Sequence, residues 1–144
     1  MEKGKKQMKV TLDKGATMPL RAHKADAGYD LYSREYALIL AGKSYTFDTG
    51  VHVEIPRGYV GMIKSKSGLM VKHNLFSEGV VDSGYVGSIH VKLFNHGDKD
   101  VEIEKGQKIS QLVIIPVLTP DLELVERLED TERGANGFGS SGKF

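Results

Sequence analysis

Asp82 is the first residue whose type and setting indicate chemistry. It begins the turn signal DSG and directly follows the apolar pair Val80–Val81. A carboxylate at such a position can hold a water molecule and deprotonate it, which is general-base chemistry. A plain turn aspartate is the alternative that these residues alone leave open, because aspartate is common in turns.

The final residues, RGANGFGSSGKF, form a glycine-rich segment. Gly137, Gly139 and Gly142 fit the pattern G-x-G-x-x-G, and Lys143 nearly completes a P-loop. Both motifs need a following helix, and only Lys143 and Phe144 follow, so we reject both. Successive glycines can still expose backbone N–H groups that cradle phosphate oxygens. The alternative is a tail without function.

Metal-site chemistry from cysteine and histidine finds little support in the sequence. The chain has no cysteine, which excludes disulfides and thiolate metal sites. Its five histidines do not have the spacing of a zinc site. His52 and His90 fall in alternating segments, where we interpret them as surface or hydrogen-bonded positions.

Length and charge limit the class of protein. With 144 residues the chain has the size of one domain, and its formal charge of +1 is not typical of a nucleic-acid-binding domain. The apolar run at 112–118 is too short for a membrane helix. We predict a basic tail over 1–8, a folded domain over 9–130 and a mobile arm over 131–144.

The elements that must position Asp82 are predicted to be short strands. Apolar residues alternate with polar ones at 9–12, 45–47, 51–55, 89–93 and 101–103, and turn signals such as AGKS, PRG and EKGQ separate these segments. This pattern favours a sandwich or barrel. Ser67–His73 is a candidate short helix with Ser67 as N-cap, and Leu122–Asp130 is ambiguous between helix and strand.

Pro116 interrupts the apolar run near the end of the domain. Proline cannot continue a central strand, yet the apolar segment 117–125 beyond it still requires burial. The chain could leave its own barrel here and pack on a neighbour. An edge strand or a simple bend within one subunit is the other interpretation.

Five segments, in order, resemble the five motifs of the trimeric all-β dUTPase family. They are AGYDL at 27–31, GMIKSKSGL at 61–69, GVVDSGYVG at 79–87, GQKISQL at 106–112 and RGANGFGSSG at 133–142. Each motif alone would be weak evidence. Their shared order and spacing over most of the chain make the resemblance strong.

The resemblance implies a jelly-roll β-barrel and a homotrimer that shares active sites and exchanges its C-terminal segment. It implies Mg²⁺-dependent hydrolysis of dUTP to dUMP and pyrophosphate, which keeps uracil out of DNA and supplies dUMP for thymidylate synthesis. No nucleic-acid or membrane partner is expected. The expected location is the cytoplasm, or also the nucleus in a eukaryote.

The same resemblance assigns roles to individual residues. Asp82 matches the catalytic base, and Tyr85 matches the ring that packs beneath the deoxyribose and excludes a 2′-hydroxyl. Gly79 and His90 map to the two arms of a hairpin whose backbone reads uracil. Asp30 matches an aspartate that supports the water shell of the metal.

Phosphate binding and closure over the base are implied for a further set of residues. Lys66 and Lys108 stand where the family has arginine, so they keep the charge but lose the bidentate fork. The remaining matches to substrate-binding positions are Ser67, Gly68, Gln111, Arg133, Phe138, Gly139, Ser140 and Ser141.

Three other functions stay open at this point. A deaminase acting on dCTP could share the barrel, although its pattern lacks the arginine–glycine–phenylalanine arm. A nucleotide-sensing or partner-binding protein could keep the barrel without turnover, although Asp82 and Arg133 are both present. A structural jelly roll would leave the glycine-rich arm unexplained.

Overall fold

The computed structural model of the chain describes residues 7–144, so most of the predicted basic tail lies outside the described residues. The described part is almost entirely β. Its elements are β1 (Lys9–Leu12), β2 (Gly28–Tyr32), β3 (Ala37–Ile39), β4 (Ser44–Asp48), β5 (Val51–Glu54), β6 (Tyr59–Lys64), α1 (Ser67–His73), β7 (Leu75–Phe76), β8 (Glu78–Val81), β9 (His90–Asn95), β10 (Val101–Ile103) and β11 (Lys108–Pro116).

All strand pairs are antiparallel and form four groups. The largest is a four-stranded sheet in the order β2–β11–β6–β8, and a three-stranded sheet has the order β4–β9–β7. The strands β1 and β5 form a pair, as do β10 and β3. Because sequence neighbours often lie in different groups, the chain crosses between sheets repeatedly around a common core.

Alternating side chains build that core, as the sequence indicated. In β9, Val91 and Leu93 are buried while Lys92 between them is exposed, and Ile89 before the strand is buried on the same face. The largest buried side chain is Phe47, from the predicted strand at 45–47. All five segments are strands, and burial alternates in four of them; β1 is the exception, since its burial does not alternate and Leu12 is exposed.

Glycines at three predicted turns adopt positive φ angles. The angles are 73° at Gly42, 87° at Gly58 and 84° at Gly106. Side chains rarely tolerate this backbone region, so glycine is required for these tight connections between strands. The turn signals AGKS, PRG and EKGQ are confirmed by this geometry.

The last strand ends at Pro116, which lies at the end of β11 and pairs with Tyr59. Beyond it, residues 117–144 contain no helix or strand, and every residue from 117 onward is exposed. Leu122 and Leu124 are at least 96% exposed, so this apolar segment is not buried by its own chain. The segment at 122–130 is neither the helix nor the strand that the sequence allowed.

Within residues 7–144 we find no helix that is long and apolar enough to cross a membrane.

Candidate functional site

Asp82 immediately follows the end of β8, whose last residue, Val81, is buried. The carboxylate is exposed, and the backbone N–H of Tyr85 donates a 3.0 Å hydrogen bond to the Asp82 carbonyl. This bond closes the start of the segment 82–88, which we call the Asp82 turn. A strand anchored in the core therefore presents a carboxylate to the surface at a defined position.

The ring of Tyr85 is fixed within the same turn. Its hydroxyl donates a 2.8 Å hydrogen bond to the Ser88 carbonyl, and the ring lies over Gly87. A Cβ atom at Gly87 would lie only 2.6 Å from the Tyr85 Cζ atom, so glycine is needed for the ring to fold over the backbone. The ring remains 44% exposed and so offers a face for stacking.

Gly79 and His90 flank the Asp82 turn. Gly79 packs on Ile63 of β6, and His90 donates from Nδ1 to the Ser88 carbonyl at 3.0 Å. The expected hairpin ladder between these arms is not formed, because β8 pairs with β6 whereas β9 pairs with β4 and β7. The turn instead connects two sheets.

A second cluster joins Asp30 to two lysines. The Lys66 Nζ atom lies 2.5 Å from one carboxylate oxygen of Asp30, and the Lys108 Nζ atom lies 3.1 Å from the other. The aspartate side chain is only 4% exposed, whereas both lysines reach solvent. We call Asp30, Lys66, Lys108 and the neighbouring Gln111 the lysine end of the four-stranded sheet.

The ionisation of Asp30 follows from these contacts. Burial alone would raise the pKa of Asp30, but the hydrogen bonds and charges of Lys66 and Lys108 outweigh burial and hold its pKa below the ordinary value. The hydrogen bond and the negative charge of Asp30 in turn raise the pKa of Lys108. The lysine end therefore sets two lysines against one carboxylate, an excess of positive groups that favours an anion.

Gln111 reaches the lysine end because of a glycine on the adjacent strand. Its Nε2 atom donates to the Ser65 carbonyl at 3.0 Å, and its side chain passes over Gly28 of β2. A Cβ atom at Gly28 would stand 2.0 Å from the Gln111 Oε1 atom. The Gln111 side chain can occupy this position because residue 28 is glycine.

Three serines beneath this region were not identified from the sequence. Ser110 donates its hydroxyl to the Lys64 carbonyl at 2.8 Å, so the 2.8 Å contact between Ser77 and Ser110 must be donated by Ser77. The Ser65 hydroxyl bonds both backbone groups of Ser77. Ser77 and Ser110 are buried, and Ser65 and Ser77 line a cleft of about 610 Å³.

Ser67 and Gly68 open the short helix α1 directly after Lys66 and are both exposed. The prediction that Ser67 is the N-cap was wrong by one residue. Lys66 holds the extended cap conformation, without a side-chain cap hydrogen bond, and Ser67 is the first helical residue. The helix ends at His73 and is followed by Asn74, whose φ of 55° gives the left-handed cap.

The glycine-rich arm lies apart from both clusters. Arg133 donates from Nε to the Asn136 carbonyl at 2.8 Å, which holds a local turn. Phe138 is fully exposed. Phe138, Gly139, Ser140 and Ser141 line a small cavity with Arg133 that involves the arm alone. The structure therefore does not bring the predicted arm residues onto the barrel of their own chain.

The strand register also separates Asp82 from the lysine end. Gly61 pairs with Val81, so Asp82 would oppose Val60, whereas Lys66 lies six residues further along the chain. Four of these six steps lie within β6, which at about 3.3 Å per residue puts roughly 13 Å of strand between the two ends. One chain thus divides the predicted site residues into three groups: the Asp82 turn, the lysine end and the arm.

Comparison with known proteins assigns this architecture to a family. The dUTPase family model matches residues 14–142. The deoxyuridine 5′-triphosphate nucleotidohydrolase of Clostridium acetobutylicum is 42% identical over 134 residues, which cover 91% of this chain and 92% of that protein.

Solved structures give the same assignment. The dUTPase of Staphylococcus bacteriophage 80alpha, in complex with dUpNHpp, is 37% identical with a TM-score of 0.89, covering 95% of this chain and 99% of the other. A mutant dUTPase of the S. aureus phage phi11, with a coordinated structural Mg(II) ion, is 32% identical with a TM-score of 0.80. The match covers 87% of this chain and 100% of the phage protein. The predicted all-β jelly-roll fold is confirmed. The chain therefore belongs to the dUTPase family and is an enzyme that hydrolyses dUTP.

Proposed function

We propose that Asp82 activates the water that attacks the α-phosphorus of dUTP, which yields dUMP and pyrophosphate. The observation that carries this proposal is the Asp82 turn, where an exposed carboxylate and a fixed tyrosine ring project from the end of a buried strand. The carboxylate accepts a proton from water while the oxygen attacks phosphorus. The bond from the α-phosphorus to the bridging oxygen breaks, and pyrophosphate leaves with its electron pair.

Recognition of the deoxyribose and uracil is proposed for the rest of this region. A sugar stacked on the Tyr85 ring would have no room for a 2′-hydroxyl group, so ribonucleotides would clash. Backbone groups near Gly79 and His90 would bind the uracil edge. Cytosine would leave such groups unpaired at a cost of about 1–3 kcal/mol each, because buried polar groups without partners lose their hydration.

Triphosphate binding is proposed for the lysine end together with α1. Lys66 and Gln111 are positioned there by Asp30 and by Ser65, and Ser67 and Gly68 follow in the chain. Positive charge and oriented donors stabilise the charge that develops on the phosphates. The arm would then close over the substrate, with Arg133, Ser140 and Ser141 on the phosphates and Phe138 on the base. Gly139 would let the arm backbone approach.

A homotrimer with shared active sites is supported by two features of the single chain. Asp82 and Lys66 lie toward opposite ends of β6 within one chain, because Asp82 would oppose Val60 near the start of the strand and Lys66 follows its end. Residues 117–128 are also exposed although they include four leucines. Exchange of this segment onto a neighbour would bury those leucines and bring the arm to another subunit's site.

Magnesium is proposed as the cofactor, held mainly by the substrate phosphates. No cluster of three or more acidic or histidine side chains that could hold a metal occurs within residues 7–144. Asp30 has both carboxylate oxygens bonded to lysine, so it fits contact with a hydrated ion through water better than direct coordination. When bound, Mg²⁺ would neutralise phosphate charge and polarise the α-phosphate.

In a cell this reaction would keep uracil out of DNA and supply dUMP, and we propose a cytoplasmic location. The test is a product screen of deoxynucleoside and ribonucleoside triphosphates with and without Mg²⁺. Pyrophosphate release confined to dUTP supports the proposal. Ammonia release from dCTP would instead identify a deaminase, and binding without any product would identify a sensor.

A further inference from the structure

His52 lies on β5 and makes hydrogen bonds with both ring nitrogens. Its Nδ1 atom is 2.8 Å from the Val86 carbonyl oxygen, and its Nε2 atom is 3.0 Å from a carboxylate oxygen of Asp13. Both partners can only accept hydrogen bonds. A ring that satisfies both must carry a proton on each nitrogen, so this geometry requires the imidazolium form.

Asp13 is itself fixed against the core. It directly follows β1, whose residue Thr11 pairs with His52, and its backbone N–H donates a 2.8 Å hydrogen bond to the Gly50 carbonyl. The carboxylate therefore meets the histidine from a backbone that two strands hold in place. His52 in turn is oriented toward the Asp82 turn.

Val86 lies in the middle of the Asp82 turn, next to Tyr85. The end of the turn has other anchors, because the Ser88 hydroxyl bonds Asp48 and the backbone N–H of Gly50 donates to that hydroxyl. The bond from His52 is the contact that ties the Val86 carbonyl to β5. Without it, the centre of the turn would lose a direct link to the sheet.

We infer that His52, oriented by Asp13, is a positioning residue that holds the Asp82 turn in the geometry needed for reaction. The histidine acts through the backbone of Val86 and does not contact substrate. The catalytic consequence rests on the proposed role of Asp82. The ordering of the turn itself is a property of the folded chain and can be measured separately.

The charge on His52 makes this positioning dependent on pH. The bond to Val86 and then the bond to Asp13 raise the pKa of His52 above its ordinary value. When the ring loses one proton, the anionic Asp13 is the better acceptor and retains the N–H, so a lone pair would face the Val86 carbonyl. The turn should therefore loosen as pH rises through the raised pKa.

The charged groups on the surrounding elements are Lys9 on β1, Asp13 after it, Asp48 at the end of β4, Glu54 at the end of β5 and Asp82 at the start of the turn. The charge of Asp48, like that of Asp13, raises the pKa of His52. Asp48 is bonded by Arg34 and lies 3.8 Å from the His90 ring. The nearest full charge to His52 is thus the Asp13 carboxylate, which makes Asp13→Asn the appropriate probe of its ionisation.

The test compares His52→Ala, His52→Gln and Asp13→Asn with His23→Ala, which changes an exposed histidine outside the Asp82 turn. Amide exchange protection in 84–88 and kcat for dUTP are measured from pH 6 to 9.5. We expect His52→Ala to lose protection at pH 6.5 and to reduce kcat roughly tenfold, about the effect of one charged hydrogen bond. In wild type we expect kcat to fall at alkaline pH, and we call this fall the alkaline limb of the kcat profile. The alkaline limb should be absent in His52→Ala.

Two variants separate positioning from simple damage. His52→Gln keeps an N–H donor that cannot titrate, so it should recover part of kcat without the alkaline limb. Asp13→Asn should move that limb to lower pH, and His23→Ala should match wild type. The inference would be overturned if His52→Ala kept wild-type amide exchange protection in 84–88, or if Asp13→Asn left the alkaline fall of kcat at the wild-type pH. Absence of dUTP turnover in wild type would refute the proposed function instead, while the exchange data would still decide the positioning.

Discussion

The buried carboxylate of Asp30 forms an ion pair with the partly exposed Lys66, with 2.5 Å between the Nζ atom and one carboxylate oxygen, and Lys108 contacts the other oxygen. The resemblance gave Asp30 a role in the metal's water shell, and that role stays a prediction. What the structure adds is a second role. One carboxylate contacts both Lys66 and Lys108 and so fixes the position of the two ammonium-bearing side chains relative to each other.

Replacement of Asp30 by Asn should weaken both the fold and substrate binding. The amide nitrogen of asparagine would face an ammonium group, so we expect unfolding free energy to fall by about 1–3 kcal/mol in denaturant titrations. Because the pKa of Asp30 is lowered in the fold, its contribution is present above the unfolded value near 3.9 and is lost as pH falls through the lower folded value. Wild type should thus lose stability in that acid range more steeply than Asp30→Asn. Parallel acid profiles would contradict this account.

Lys66→Met should raise the KM for dUTP by about 10–100-fold, because one charge-assisted contact to a phosphate contributes about 1.5–3 kcal/mol. Lys66→Arg is the matched control, since it retains the charge and can still bond Asp30. Steady-state kinetics at fixed ionic strength measure both. Equal KM values for Lys66→Met and wild type would remove Lys66 from the phosphate site.

Gly28→Ala should reproduce the defect of Gln111→Ala, because the added Cβ atom would occupy the position of the Gln111 Oε1 atom, 2.0 Å away. We expect both variants to lose activity to a similar degree and the double variant to lose little more. Kinetics of the four proteins complete a double-mutant cycle. Additive losses would show that the two residues act independently.

Removal of residues 133–144 should leave the barrel folded and trimeric while most activity is lost. Phe138 is fully exposed on its own chain, so the arm contributes little to the core. Circular dichroism and light scattering report fold and assembly, and dUTP turnover reports function. Phe138→Ala should cause part of the same loss. Kinetics that match wild type after the deletion would exclude the arm from the reaction.

The sequence predicted best those features that depend on local pattern. The alternating segments at β5 and β9 and the glycine turns were evident because period-two burial and positive φ are local properties. The helix-or-strand prediction at 122–130 was less successful. Apolar residues there indicate burial, but they do not indicate which chain supplies the partner surface.

The candidate site was predicted by residue type but not by contact. Asp30 and Lys66 are 36 residues apart, and Ser77 and Ser110 are 33 apart, so their hydrogen bonds depend on strand register. Serine is common in strands and turns, and nothing in the sequence distinguishes these serines from others. The same holds for His52, whose bond to Val86 spans 34 residues.

The most direct test of the central claim is the pair of measurements on Asp82→Asn: turnover of dUTP and affinity for dUpNHpp. Asparagine keeps the size of the side chain but cannot take a proton from water. We expect turnover to fall by at least about 10²-fold, in line with the loss of a general base, while calorimetry gives an affinity close to that of wild type. Pyrophosphate release at the wild-type rate by this variant would contradict the account.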